Sequence, residues 1–523
     1  MIDLYLAHTC ILFHKDDVNG RSDTVKHQTK TVLIPPKEEI FSWIEHFASF
    51  GHRRSGTENN RKSAEYIAEK FKEFGLEDIR FDEPDAKLFF PEEWSLRVGD
   101  EEIPCYFINY TNYSGEIGVT DTGEITAELV DIGDGRKEDI EGLDLEGKIV
   151  LANNKWFDYD LDFFEKNHAS DKCWWYDPRN TVTSFKQYLH KDTYDPNTFP
   201  QNYCDAVNHG AIGFIGVLSD NCNHYEHYNE NYSQAYAKFL DPKEYHFNTM
   251  YRPGLWVSRE CGETLRKKIA DNGGTLTVTM RMRSRVEASH ANVVSGILPG
   301  MSDEIILVHS HHDSCFQGAV QDASGMSVVL AIAKYFSQIP KEERKKTLMF
   351  GAMDSHFSGY AGHEGFIKRL QDDGKNVMLD VVTEHVAMEA IDDINCKEDE
   401  MRFTGEINFR LIYVTENETL MHMVKEAMEE NNLERTLLIP CIKGKADVCS
   451  DADRFFKAGI PVASVIAPPI YLMDPVDTPK TIAVDQLPVV TKTWLDLIYE
   501  AFDHEKSDFA EQENLHYFGT RGE

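Results

Sequence analysis

Over residues 291–503, short apolar runs alternate with stretches whose apolar residues recur at helical spacing. The spacing predicts strands at 291–298, 304–310, 346–353, 378–386 and 460–467. It predicts helices at 324–338, 358–371, 417–431 and 484–503. A run apolar along its whole length must be buried on both faces, and an amphipathic helix buries one stripe against such a layer. The alternation therefore implies an α/β fold, a mostly parallel sheet with helices on both faces. Ligands of such sheets collect beyond the carboxyl ends of the strands. The reactive side chains of this segment fall at those ends.

The remainder of the chain reads differently. Residues 35–80 are predicted helical, with Phe41, Ile44, Phe47, Tyr66, Ile67, Phe71 and Phe74 at helical spacing. A glycine-punctuated turn at 51–57 interrupts them, and Gly75 closes the second helix. From about 120 to 285 the pattern changes to short strands and loops, with apolar-glycine runs at 147–151, 211–216 and 253–258. We expect 30–120 and 286–510 to form one α/β domain, interrupted by a β-rich insert at 121–285. Two aromatic, acidic stretches lie in this insert, at 154–180 and 223–236. Each reads either as a solvated elaboration or as a lid over a site.

A chain of 523 residues exceeds one compact core. Its net charge of −35 excludes a phosphate-tracking surface, which needs clustered Lys and Arg, so neither nucleic acid nor an anionic membrane is an expected partner. No apolar run approaches the length of about 18 residues needed to span a bilayer. Ten cysteines are scattered without a Cys-x-x-Cys pair, which fits reduced thiols in the cytoplasm better than a disulfide framework. The opening MIDLYLAHTCILFHKDD has no basic n-region or small-residue cleavage site, so no signal peptide is read there. Sequons at Asn109, Asn112, Asn231 and Asn417 read as chance matches.

The densest cluster of chemistry lies in IILVHSHHDSCFQGAVQDASGMSVVLAIAKYF (305–336) and TLMFGAMDSHFSGYAGHEGF (347–366). An apolar strand ends in His311-x-Asp313. Ala323-Ser324-Gly325 opens a helix, and a further strand runs into His356-Phe357. This frame resembles the co-catalytic zinc exopeptidases, the family of bacterial leucyl aminopeptidases and glutamate carboxypeptidase. The Arg-x-Ser-Gly turn at 53–56 is similar to that family's entry segment, and the strands at 147–151, 211–216 and 253–258 resemble its protease-associated insert. The resemblance implies the zinc-aminopeptidase fold.

It also implies a two-metal ligand set that this chain does not keep. His311 matches the first metal ligand, and Asp313 the carboxylate that orients it. Gln321 stands where the bridging Asp belongs, with Asp322 beside it. His356 stands at the general base and Phe357 at a ligand Glu. His385 stands at a ligand Asp. Asp477-Thr478 and Ile460-Pro461 frame the last ligand, whose His is replaced by Met473, or by Leu472 if the gap moves by one. Phe and Met cannot replace carboxylate and imidazole for a hard or borderline dication, so we expect no second metal. His311, His356 and His385 are expected to surround one divalent transition metal, most plausibly zinc, with an open fourth position. The general base falls among Asp322, Glu384 and Glu389. His312 and His363 read as contacts around the ligands or to substrate, and Cys315 as a loop residue. The expected function is a metal-dependent hydrolase acting on an amide, lactam or activated carbonyl of a small molecule. An ordinary two-metal aminopeptidase and an inactive binding protein on this scaffold are the alternatives.

Overall fold

The computed structural model describes residues 33–113, 115–154, 170–182, 199–219, 223–229, 250–391, 402–444, 448–467, 469 and 471–512. The N-terminal segment, Asn231, most of the first aromatic stretch and half of the second lie outside them. Two nine-stranded sheets dominate. The first runs in the order Glu77–Asp82, Val293–Leu298, Thr347–Met353, Ile305–His311, Val377–Thr383, Val462–Ile466, Arg410–Thr415, Thr436–Cys441 and Trp174–Tyr176.

Its four central strands, Thr347–Met353 through Val462–Ile466, are mutually parallel. Their sequences IILVHSH and VMLDVVT are buried at every position. The flanks add antiparallel pairings, with Arg410–Thr415 and Thr436–Cys441 parallel to each other, so the sheet is mixed. Loop length explains one reversal. Residues 299–304 are too few for a helical crossover, which needs about a dozen, so Val293–Leu298 runs against its neighbours.

Helices cover both faces. On one, Lys37–Ser49, Glu58–Glu73, Gly325–Ser337, Glu418–Glu430 and Gln486–Ala501 bury their apolar stripes in a single large core. On the other lie Ala361–Asp372 and Asp453–Lys457, packed around Phe366, Phe455 and Phe456. The expected α/β fold with a second β-rich part is thus present. Thr57 and Asn417 cap their helices, each accepting from the backbone three residues on. Asn109, Asn112 and Asn417 are buried and hydrogen-bonded within the protein.

The second sheet draws its strands from residues 85–290. Asp85–Val98 and Thr277–His290 pair along nearly their whole length and carry the chain out of and back into the first sheet's domain. Inside this sheet, Ile149–Asn154, Gly213–Leu218 and Gly254–Ser258 are parallel neighbours. Trp174–Tyr176, by contrast, pairs with Thr436–Cys441 at the edge of the first sheet.

A separate apolar cluster joins the two sheets. Phe107, Tyr110, Tyr228 and Trp256 from the second pack with Cys315, Phe316, Phe357 and Met473 from loops of the first. The described cysteines are all free thiols. Among the described residues no helix is long and apolar enough to cross a membrane.

Candidate metal centre

The strand ends Ile305–His311, Thr347–Met353 and Val377–Thr383 lie side by side, and each hands its last residues to one point. His311 is the final residue of its strand. His356 follows the second strand in a short turn, and Glu384 and His385 follow the third. Donor atoms of His311, His356 and Glu384 lie within 4.8 Å of one another, and all three residues are buried. The imidazoles of His311 and His356 stack at 4.1 Å between centroids. His385 stands beside this group. Its ring is 6.4 Å from that of His311, and its Nε2 is 3.7 Å from Glu384 Oε1.

Hydrogen bonds fix which nitrogen of each ring presents a lone pair. His311 Nδ1 donates to the Asp313 carbonyl at 2.9 Å, and His385 Nδ1 to the Ala467 carbonyl at 2.8 Å. His356 Nδ1 pairs with Asp451 Oδ1 at 2.7 Å. Nε2 is therefore the acceptor in each ring. In His311 and His385 it is buried without a hydrogen-bond partner. Burial holds the pKa of His311 below the usual imidazole value and that of His385 well below it, helped by the neighbouring imidazoles. Both shifts favour the neutral ring, the form that ligates a metal.

Asp451 ties the group together. Burial pushes its carboxyl up, but His363, His356 and His311 around it win and hold it well below the carboxylate range. Its Oδ1 serves both His356 and His363 Nε2, the latter at 3.2 Å. Its backbone N–H donates to Glu384 Oε2 at 3.0 Å. One residue thus orients two of the three clustered donors. Nothing in the sequence spacing marks Asp451, because it lies in a loop 95 positions from His356 and reaches it only through the order of strands. Asp451→Asn is expected to weaken metal affinity by roughly 10–100-fold with the fold retained, measured by competition with a chromophoric chelator. Unchanged affinity would deny Asp451 this orienting role.

The other candidates separate clearly. Asp322 is fully buried, its carboxyl pushed well up by burial and by Glu384. Its oxygens accept from His385 N, Gly325 N and Ser310 Oγ, so it braces the loop rather than facing the ligand group. This bracing explains the small-Ser-Gly helix start. A Cβ on Gly325 would lie 2.1 Å from the Thr383 carbonyl and 2.4 Å from Asp322 Oδ2.

Gln321 is buried, with an unpartnered Oε1. Its N–H and that of Val320 donate to Asp477, whose pKa burial raises to about 6. Asp313 Oδ1 lies 3.3 Å from His311 Nδ1, whose hydrogen bond goes to the Asp313 backbone carbonyl. Glu389 lies apart on the strand Glu389–Ile391, with Asp485 and Glu406 as its charged neighbours. His312 is held by Asn292 and Ser63, away from the cluster.

The positions expected to have lost a second metal have a definite fate. Phe357 and Met473 are 1% and 2% exposed, inside the cluster that joins the two sheets. Tyr228 packs edge-on to Phe357 at 5.6 Å, and its N–H donates to the Met473 carbonyl.

Residues 292–498 match the family model described as peptidase family M28. This segment is similar to that family; it makes up less than half of the chain. The resemblance to co-catalytic zinc exopeptidases read from the 305–366 frame is thereby confirmed.

Solved structures carry the same architecture over nearly the whole chain. The zinc aminopeptidase from Bacillus subtilis is 18% identical, with 91% of this chain and 99% of that one covered at a TM-score of 0.59. The aminopeptidase from Aneurinibacillus sp. strain AM-1 is 17% identical, with 94% and 98% covered and a TM-score of 0.53. The peptidase M28 precursor from Shewanella amazonensis SB2B is 14% identical, with 92% and 98% covered and a TM-score of 0.60. At these identities the likeness is one of fold. Within this segment, the donor set His311, His356 and Glu384, which includes the unpartnered Nε2 of His311, fits a borderline dication of the zinc class.

Proposed function

We propose that the chain is a metal-dependent hydrolase with one zinc ion held by His311, His356 and Glu384, acting on an amide, lactam or activated carbonyl of a small molecule. The observation that supports this most is the division of the site into two unlike halves. One half converges three buried donors on a point. The other half is apolar and sealed by Phe357, Met473 and Tyr228.

When bound, such an ion acidifies water and polarises a carbonyl. The residues supply the rest. Asp313 and Asp451 fix the tautomers of His311 and His356. With the ion bound, His385 Nε2, 3.7 Å from Glu384 Oε1, would be the group placed to accept a proton from water. The resemblance implies His385 as a ligand; in this reading Glu384 takes that place, because its carboxylate lies within 4.8 Å of donors of both His311 and His356. Gln321 replaces a bridging carboxylate by a neutral amide and leaves one ion's worth of charge to balance.

Elemental analysis of the purified protein is expected to return one equivalent of zinc per chain. Two equivalents would restore the ordinary two-metal aminopeptidase. None after reconstitution with zinc would leave a binding protein on a peptidase scaffold.

A further inference from the structure

Beneath the clustered donors lies a second layer of buried polar side chains. His309, two residues before His311, shares its face of the strand. Its Nε2 stands 3.1 Å from Asp380 Oδ1. Beside this pair, His363 Nε2 stands 3.2 Å from Asp451 Oδ1. All four residues are fully buried. The rings of His309 and His363 are 6.4 Å apart, and both pack on Phe455. Each imidazole thus has its own carboxylate. Only the second pair reaches the metal centre, because Asp451 Oδ1 also holds His356 Nδ1 at 2.7 Å.

His363 belongs to the first turn of the helix Ala361–Asp372, and that turn is clamped to the loop carrying His356. Tyr360 N–H donates to the Ser355 carbonyl at 2.9 Å, and Gly362 N–H to Ser355 Oγ at 2.8 Å. A Cβ on Gly362 would lie 2.3 Å from the Asp354 carbonyl, so glycine permits this approach of helix to loop. The Tyr360 ring stands 5.1 Å from the rings of both His356 and His363. The ligand and His363 are therefore carried by one packed unit.

Asp451 lies on a different loop and must be held to that unit. Among the described residues its carboxylate meets no side chains except His356 and His363, and its Oδ2 accepts no hydrogen bond. Arg454, three residues on, pairs instead with Asp453 and Glu364. A buried carboxylate is costly unless several donors face it. Without His363 it would rest on His356 alone. His363 is closed to solvent, which removes the role of substrate contact, and its approach to Asp451 is its one polar contact among the described residues.

We infer that His363 is a positioning residue of the metal centre, holding the Asp451 carboxylate where it keeps His356 Nε2 turned to the ion. It acts through Asp451 and touches neither ion nor substrate. This rests on the zinc reading above, since His356 enters it as a ligand.

The test compares two neutral amides of different reach on the full chain. The Gln amide nitrogen falls where imidazole Nε2 was, whereas that of Asn falls short, at Nδ1. Zinc affinity is measured by chelator competition. A group one step behind the ligand's own partner should cost less than the 10–100-fold of that partner, so His363→Asn is expected to lose roughly 3–10-fold. His363→Gln is expected to stay within about twofold of the wild type, and the two variants to become equal in an Asp451→Asn background, as expected for one coupled unit. Melts of the metal-free proteins check the fold, and His363→Met replaces His363→Asn if the latter unfolds. Equal affinity in His363→Asn and wild type overturns the proposal. So does a His363→Gln loss as large as that of His363→Asn, or a difference that survives Asp451→Asn. If the wild type holds no zinc, the hydrolase reading fails, and imidazole ¹⁵N resonances of the metal-free protein decide this one. The His356 signal, assigned with His356→Gln, should show the Nδ1–H tautomer in wild type and His363→Gln and a tautomer mixture in His363→Asn. An unchanged signal in His363→Asn would then overturn the positioning role.

Discussion

His311→Ala, His356→Ala and Glu384→Gln are each expected to lose the bound ion, whereas His385→Ala is expected to keep it and lose turnover. The split follows from the geometry. Donors of the first three residues lie within 4.8 Å of one another. His385 Nε2 stands 3.7 Å outward from Glu384 Oε1, its ring fixed by the Ala467 carbonyl. Loss of a group that only orients a ligand costs about 10–100-fold in affinity, so loss of a ligand should exceed the upper end of that range. Removal of a proton acceptor costs about 10²–10⁴-fold in rate without disturbing the ion. Equilibrium dialysis against zinc, with mass spectrometric counting of the retained metal, reads the first effect. A His385→Ala protein that loses its zinc as completely as His311→Ala would make His385 a ligand and remove it as the base.

Phe357→Glu places the carboxylate of the two-metal pattern back where the M28 frame expects it. It is nonetheless expected to destabilise the protein by about 3–5 kcal/mol, because an apolar ring is lost from a packed cluster and a charge is buried without a partner. For a chain of this size that corresponds to a Tm lower by roughly 3–5 °C. Phe357 is 1% exposed and touches Tyr228 and both clustered imidazoles, so the new side chain has no route to water.

The penalty should depend on pH in a defined direction. Burial raises the folded-state pKa of the new carboxyl above its unfolded value. The cost is therefore smallest below the ordinary carboxylate range, where both states are protonated and only the lost packing counts, and grows as the pH rises from about 4 to 7. Phe357→Leu, which keeps the site apolar, should lose far less and show no such widening. Thermal melts across that pH range, with and without excess zinc, check the expectation. A Phe357→Glu protein that melts like the wild type and takes up a second equivalent of zinc would show that the apolar seal does not exclude the second ion.

The sequence by itself carried the scaffold. Strand periodicity in 291–503, the His311-x-Asp313 strand end and the Ala323-Ser324-Gly325 helix start are local signals, since a fully buried strand and a tight helix start each restrict the residues that fit. The helix at 324–338 and the strands at 304–310 and 346–353 accordingly lie within a residue or so of their expected places. The convergence of His311 and His356 was legible for the same reason, because both follow neighbouring parallel strands.

What only the tertiary structure decided depends on contacts between segments distant in the chain. Glu384 and His385 are adjacent in sequence, and no spacing rule says which of them turns inward. The Asp322 oxygens that hold the His385 and Gly325 backbone N–H groups are part of what settles it. Asp451 reaches His356 because Val462–Ile466 pairs with Val377–Thr383, a neighbour relation that the sequence does not encode locally. Phe357 and Met473 looked like lost ligands. They became the foundation of an interface only when the second sheet, folded from 85–290, brought Tyr228 and Phe107 onto them. Hydrophobic burial is non-directional and indifferent to sequence separation, so one chain can mark its apolar residues without saying which of them will meet.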